Sequence, residues 1–209
     1  MVQVSIDVLI NAAISGEGVV SFPTDTVPAL AARPDQAELI FQTKQRRQDK
    51  PLILMGATPK ALWPYVKGTV EELLIWQRIA QQYWPGALTL VLPASEKVSP
   101  AMNPTDPSTI GLRVPNCAIA QYILARTGPM ATTSANLSGQ PPRLTMAEIN
   151  TQFPDVLTLF SSEFDATSTA STIPSTVAKW QSNGQWEILR QGAKEKPGFF
   201  STPNSVAKF

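Results

Sequence analysis

The 209-residue sequence predicts an α/β fold built on a mixed β-sheet. Two observations carry this prediction. Stretches with helical spacing alternate with short apolar runs of strand type along the chain, and the last two runs flank Asn183–Gly184, a hairpin turn that makes at least one strand pair antiparallel. No internal repeat and no heptad pattern competes with this reading.

The elements follow in order. Ser5 precedes Ile6, Leu9, Ile10, Ala13 and Ile14, an N-cap followed by a helical stripe that Gly16 and Gly18 close. GVVSFPTDT (18–26) then reads as a strand running into a polar turn. A second helix is expected over 35–44, with Leu39, Ile40 and Thr43 facing inward, and PLILMG (51–56) has the form of a buried strand. Residues 69–83 form the clearest helix: Thr69 caps it, Glu72 completes a capping box, and Leu73, Ile75, Trp76 and Ile79 lie in its body. ALTLVLP (87–93) and TIGLRVP (109–115) are strand-like and separated by a Pro-, Ser- and Asn-rich loop. CAIAQYILARTG (117–128) is a helix with a glycine stop, and it leads into PMATTSANLSG, apolar first and then polar. A capped helix over 145–153 and a strand at 156–160 follow. Residues 161–175, rich in Ser and Thr, read as a mobile surface segment before the hairpin of STVAKW and WEILRQG.

Composition excludes several chemistries. The chain has no histidine, which removes the usual general base near neutral pH and the commonest metal ligand. Ser–His–Asp, Cys–His and zinc–histidine mechanisms are therefore out. With 17 basic against 16 acidic side chains the net charge is +1, so any polyanion must be met by a local patch. Cys117, the single cysteine, cannot form an intramolecular disulfide and is read as a small buried residue in a reducing compartment. No apolar run approaches the roughly 20 residues of a spanning helix. The first residues lack the basic region of a secretory signal, so a cytoplasmic location is expected, with no membrane partner.

Two segments concentrate the remaining chemistry, KQRRQDKPL at 44–52 and MATTSANLSG at 130–139. On an extended backbone Lys44 and Arg46 would project to one face and offer complementary charge to phosphate. Thr132, Ser134 and Asn136 alternate in the same way with neutral polar groups. Each segment alone is also compatible with a solvated basic turn or a Ser/Asn-rich loop. Neither G-x-G-x-x-G nor G-x-x-x-x-G-K-[ST] occurs, so phosphates would be held by side chains and loop amides. Further polar groups stand at strand ends or turns: Thr24–Asp25–Thr26, Arg113, Ser175–Thr176 and Arg190. Arg113 interrupts an apolar strand and requires an anionic partner, either a ligand or an internal Asp or Glu. Arg190, at the end of WEILRQG, reads from its surroundings as a surface residue.

These residues resemble the YrdC-like family of threonylcarbamoyl-AMP synthases. SFPTDTV, K-x-R with the following PL, WPGALTLVL, TIGLRVP, TTSANLSGQPP, PSTV and ILRQGA all occur in the family's order. The resemblance implies a YrdC-like α/β domain, a twisted mixed sheet flanked by helices with a concave ligand-binding surface, over 1–209, with its core at about 5–193 and a short tail at 194–209. It implies an ATP-dependent nucleotidyltransferase that joins L-threonine and bicarbonate or CO2 into L-threonylcarbamoyl-adenylate and releases pyrophosphate. Downstream proteins would then transfer the threonylcarbamoyl group to adenosine 37 of tRNA. Lys44, Arg46, Ser134 and Asn136 would form the catalytic tetrad; with Thr109 and Arg190 they would hold ATP and its Mg2+, without a protein metal ligand. Thr26, Arg113, Thr132 and Ser175 would hold threonine, Arg113 by its carboxylate.

The family usually reads T-V-Y-G-L-G where this chain has Thr26-Val27-Pro28-Ala29-Leu30-Ala31. Pro28 would remove an aromatic wall and a backbone donor, and Ala29 disfavours a positive φ. An alternative expectation is therefore a paralogue that binds nucleotide without making the adenylate, or one that binds double-stranded RNA through Lys44, Arg46, Arg47 and Lys50.

Overall fold

The computed structural model describes residues 2–163 and 172–193. Its centre is a ten-stranded mixed sheet in the order β1-β8-β2-β3-β7-β4-β6-β5-β9-β10. The strands are β1 (Gln3–Val4), β2 (Val20–Phe22), β3 (Ala29–Ala32), β4 (Ile53–Met55), β5 (Leu88–Pro93), β6 (Thr109–Arg113), β7 (Met130–Ser134), β8 (Leu157–Leu159), β9 (Thr176–Trp180) and β10 (Trp186–Arg190). Parallel pairs (β1 with β8, β2 with β8, β4 with β6, β5 with β9) are interspersed with antiparallel ones. The expected hairpin is present, with Gly184 at φ 78° in its turn.

The helices are α1 (Ile6–Ser15), α2 (Glu38–Lys44), α3 (Pro59–Leu62), α4 (Val70–Tyr83), α5 (Ala118–Thr127) and α6 (Met146–Gln152). Gly16, at φ 75°, ends α1 by donating its amide to Ala12 O. Capping boxes begin α4 (Thr69 with Glu72) and α6 (Thr145 with Glu148). The second Glu72 oxygen accepts the Trp180 indole N–H at 2.9 Å, tying the start of α4 to β9.

Several expectations are corrected. The helix expected over 35–44 is a 3-10 turn at Pro34–Gln36 followed by α2, and its buried residues are Ile40, Phe41 and Lys44 rather than Leu39 and Thr43. In α4, Ile75 is 40% exposed, while Trp76, Ile79 and Ala80 are buried. β1 and β3 carry no clear sequence signal, and the one-turn α3, begun by Thr58–Pro59, adds to the expected helices. Cys117 is half-buried; its thiol donates to Pro23 O at 3.6 Å, and burial pushes its pKa up. Of the Ser/Thr-rich segment, Ser161–Glu163 form a 3-10 turn, whereas 164–171 and the tail 194–209 lie outside the described residues.

Two apolar layers sandwich the sheet, and they differ in extent. One contains Leu30, Leu54, Leu88, Leu90, Leu92, Ile110, Leu112 and Ala178 against Ile40, Trp76 and Ile149 of α2, α4 and α6, so it spans β3 to β9. The other gathers Leu9, Ile10, Ile123 and Leu124 of α1 and α5 over Val20, Phe22, Ala29, Ala31, Met55 and Met130. It covers the β8–β2–β3–β7 side and reaches β4 only at Met55. Strand alternation sends Thr132, Ser134, Ile53, Gly111, Arg113, Thr89, Val91, Val177 and Lys179 to the part of that face that α1 and α5 leave open. The concave surface follows from this unequal cover.

Candidate active site

The open face holds a cavity of about 440 Å³, within the range of small-molecule sites. Its lining includes Thr26, Arg46, Thr109, Arg113, Thr132, Ser134, Ser175 and Arg190, eight of the ten residues singled out from the sequence. Lys44 and Asn136 are not among the lining residues; they stand behind Ser134.

One corner is built by the turn between β2 and β3. The Arg113 guanidinium, at a residue 4% exposed, donates from Nε to Gly86 O (3.2 Å), from one terminal nitrogen to Thr26 Oγ1 (2.8 Å) and from the other to Asp25 Oδ1 (2.7 Å). Of the two partners open to Arg113 from sequence, the internal carboxylate is thus present. Burial lowers the Arg113 pKa, and Asp25 opposes that shift. Thr24 Oγ1 donates to Val27 O (2.8 Å) and accepts the Thr26 amide (3.1 Å), leaving the Thr26 hydroxyl to donate to it (3.2 Å). A directed chain therefore runs from Arg113 through Thr26 and Thr24 into the turn backbone.

Ser175 and Arg190 shape another wall. Ser175 exchanges a hydrogen bond with Thr89 (2.9 Å), and its carbonyl accepts two bonds from Arg190 at 3.1 and 2.8 Å. Gly192 packs so closely on the Pro174–Ser175 backbone that a Cβ would collide with Pro174 O, which accounts for the glycine in RQG. Arg190 is exposed, as its surroundings suggested, yet it faces the cavity and lowers the proton affinity of both Arg46 and Arg113. Three guanidiniums thus act on one cavity, a field suited to an anion.

The Lys44–Arg46 segment is not extended. Lys44 is the last residue of α2, and Gln45 adopts a left-handed cap at φ 49°, so the turn separates the two cations. Lys44 is 1% exposed, and its three donors meet Ser134 O (2.5 Å), Asn136 Oδ1 (3.2 Å) and Thr133 Oγ1 (3.4 Å). Its pKa is lowered to about 7 by burial, with Arg46 and Lys50 adding repulsion. Ser134 Oγ donates to Asn136 Oδ1 (2.6 Å), and the Asn136 amide nitrogen is spent on Leu137 O and Gln140 O. The Ser134 oxygen is thereby the tetrad's polar group at the cavity, with Arg46 beside it. Arg46 donates to Lys50 O and Pro51 O, and burial lowers its pKa.

Thr132 is 1% exposed, and its hydroxyl donates to Ile53 O (3.1 Å). The basic cluster suggested for RNA is reduced: Lys44 is buried, and Arg47 pairs with Asp49 at 2.8 Å. Val27 and Ala29 line the cavity, whereas Pro28 faces a second cavity of about 890 Å³ with Thr24, Cys117 and Tyr122. Ala29 is an ordinary strand residue paired with Phe22 and Ser134, so no glycine conformation is needed there. Residues that sequence reasoning did not assign to the site include Gly111 and Lys179, which alternation from Arg113 and Ser175 would have located, and Thr89, which enters through the β5–β9 register.

The half-covered sheet and its cationic, hydroxyl-rich cavity define an α/β protein with a pocket suited to a small anion. A family model described as "Telomere recombination" (Sua5_yciO_yrdC) matches residues 12–192, and the chain belongs to this Sua5/YciO/YrdC family. The threonylcarbamoyl-AMP synthase of Vibrio campbellii is 36% identical over 155 residues, covering 71% of this chain and 81% of that protein. Pyrococcus abyssi Sua5 in complex with L-threonine superposes with a TM-score of 0.75 at 29% identity, over 90% of this chain but 54% of that one, so the chain spans about half of that protein. Escherichia coli YciO shares the fold, with a TM-score of 0.76 at 23% identity over 91% of this chain and 90% of that one.

Proposed function

We propose that the protein is a threonylcarbamoyl-AMP synthase that uses ATP, L-threonine and bicarbonate or CO2. The observation that carries this reading is the convergence of Arg46, Arg113 and Arg190 on one cavity with the hydroxyls of Thr26, Thr132, Ser134 and Ser175. The 36% identity to the V. campbellii synthase and the likeness to a Sua5 solved with L-threonine support it.

In this reading Arg113 receives the threonine carboxylate, using the one N–H left on each terminal nitrogen after Asp25 and Thr26 are served. Thr26, whose hydroxyl hydrogen is committed to Thr24, offers an oxygen acceptor to the substrate. Thr132 and Ser175 complete the threonine pocket. Thr109, Arg46, Ser134 and Arg190 hold ATP, and Lys44 and Asn136 brace Ser134 from behind.

The threonine amine first becomes a carbamate by addition to CO2 with loss of a proton. A carbamate oxygen then attacks the α-phosphorus, the bond from that phosphorus to the bridging oxygen breaks, and pyrophosphate leaves with the electron pair. Fixed guanidiniums stabilise the charge on the phosphoryl oxygens, and neither step asks for a protein nucleophile or a histidine.

A Mg2+ bound with ATP would supply further charge neutralisation beside Arg46 and Arg190. The cavity's acidic residues Asp49 and Asp106 are engaged by Arg47 and Ser108. No helix of the described residues is long and apolar enough to cross a membrane, and a cytoplasmic enzyme that passes its product to tRNA-modifying partners is the setting we propose.

Incubation with ATP, labelled bicarbonate and L-threonine tests the reading. Threonine-dependent formation of labelled adenylate and pyrophosphate is expected. ATP binding without a threonine-dependent product would overturn it.

A further inference from the structure

We infer that Asp25 is a positioning residue for the amino-acid substrate: it holds Arg113 in the orientation that receives a carboxylate. The inference rests on the proposed role of Arg113. It starts from the three-point anchoring of that side chain.

Arg113 reaches the cavity from the end of β6, inside a sheet face that α1 and α5 leave open. Nothing along its own strand fixes the plane of the guanidinium. Three acceptors do: Gly86 O on Nε, Thr26 Oγ1 on one terminal nitrogen and Asp25 Oδ1 on the other. Three non-collinear contacts determine the plane of a rigid fork, and Asp25 is the charged one among them. The Asp25 side chain is 14% exposed, against 5% for Arg113, so little solvent screens the pair.

The turn is itself stiff. Thr24 receives the Thr26 amide and bonds to Val27 O, which locks the backbone on both sides of Asp25. The Cys117 thiol adds a contact to Pro23 O at the turn's start. The Asp25 carboxylate is thus a fixed anion presented to the Arg113 edge from the protein side, leaving one donor on each terminal nitrogen for a second carboxylate from the cavity.

Two physical effects of Asp25 on a carboxylate ligand oppose one another. Its charge repels the incoming anion, so its removal would tighten binding if electrostatics alone mattered. Its anchoring fixes the fork, so its removal would loosen binding if orientation mattered more. The geometry favours orientation, because a buried guanidinium without its carboxylate partner turns toward other acceptors and must be reordered at each binding event.

Steady-state kinetics of Asp25→Asn separate the two. The threonine KM is expected to rise about ten-fold or more, as a lost charge-assisted contact warrants, with the ATP KM within about two-fold of the parent. Asp25→Glu retains the charge but displaces it by one methylene, and its threonine KM is expected to fall between the two. A threonine KM that is unchanged or lower in Asp25→Asn would overturn the inference, as would ATP and threonine KM values that rise together. Should Asp25→Asn fail to fold, Asp25→Glu decides alone: a raised threonine KM beside an unchanged ATP KM supports positioning, and two unchanged values overturn it. The parent protein is assayed in parallel, so absence of a threonine-dependent product in the parent would strike at the proposed activity rather than at Asp25.

Discussion

The Lys44 ammonium lies 2.5 Å from the carbonyl oxygen of Ser134, at a residue that is 1% exposed, and among the described residues no carboxylate accepts a hydrogen bond from it. A buried cation held only by neutral acceptors is costly to keep charged, and its pKa falls to about 7.

That shift makes stability depend on pH. The folded-state pKa lies below the ordinary lysine value of 10.5, so between about pH 7 and 10.5 the unfolded chain binds more protons and the folded state gains stability as pH rises. The penalty is full below about pH 7. The slope approaches about 1.4 kcal/mol per pH unit for one group. Urea unfolding at pH 7 and pH 9 should therefore show a gain in the parent that Lys44→Met lacks.

Ligand charge should reverse the shift. Phosphates arriving beside Ser134 favour the ammonium form, so ATP binding at pH 8 is expected to take up about half to one proton. Calorimetry in buffers of different ionisation enthalpy measures this uptake, and Lys44→Met should abolish it.

Arg46→Ala should lower turnover with ATP by about ten-fold or more, the value of a lost charge-assisted contact at a phosphate. Single-turnover measurement of pyrophosphate release reads it directly. Unchanged kinetics would remove Arg46 from the site.

Gly111 separates stability from binding. A Cβ there would meet Thr89 Cγ2 at 3.4 Å and Ile53 Cγ1 at 3.5 Å, contacts that the strand tolerates, but it would project into the cavity. Gly111→Val should change unfolding stability by no more than about 1 kcal/mol, since a β-branched residue suits a strand, while weakening ligand binding at least ten-fold. Chemical denaturation and equilibrium binding, measured on the same sample, give both numbers.

Elements that announce themselves locally were legible from sequence. The Thr69–Glu72 and Thr145–Glu148 boxes, the Gly16 stop and the Asn183–Gly184 turn each act within a few residues. β3 escaped because ALAA has neither β-branched nor aromatic residues; it is a strand because β2 and β7 pair with it on both edges and apolar layers bury both its faces. The alternation of Lys44 and Arg46 suggested an extended chain, but α2 runs on to Lys44 before Gln45 turns it. Eight of the ten residues singled out from sequence line one cavity, Thr109 among them only through the family resemblance. Their pairings were not legible: the partner of Arg113 lies 88 residues away, and that of Lys44 lies 90 residues away. Sequence near either residue carries no trace of which group it will meet.

Among the described residues β10 is the outermost strand and pairs with β9 alone, with a shift in register just before Arg190. Arg113, by contrast, stands on β6, flanked on both sides by β4 and β5. The two arginines therefore draw on different reserves of cooperativity. Fraying of the edge strand β10 is enough to withdraw Arg190, whereas displacing Arg113's strand requires the middle of the sheet to separate. On that basis the walls of a single cavity open at unequal cost, with the β10 wall the less costly of the two.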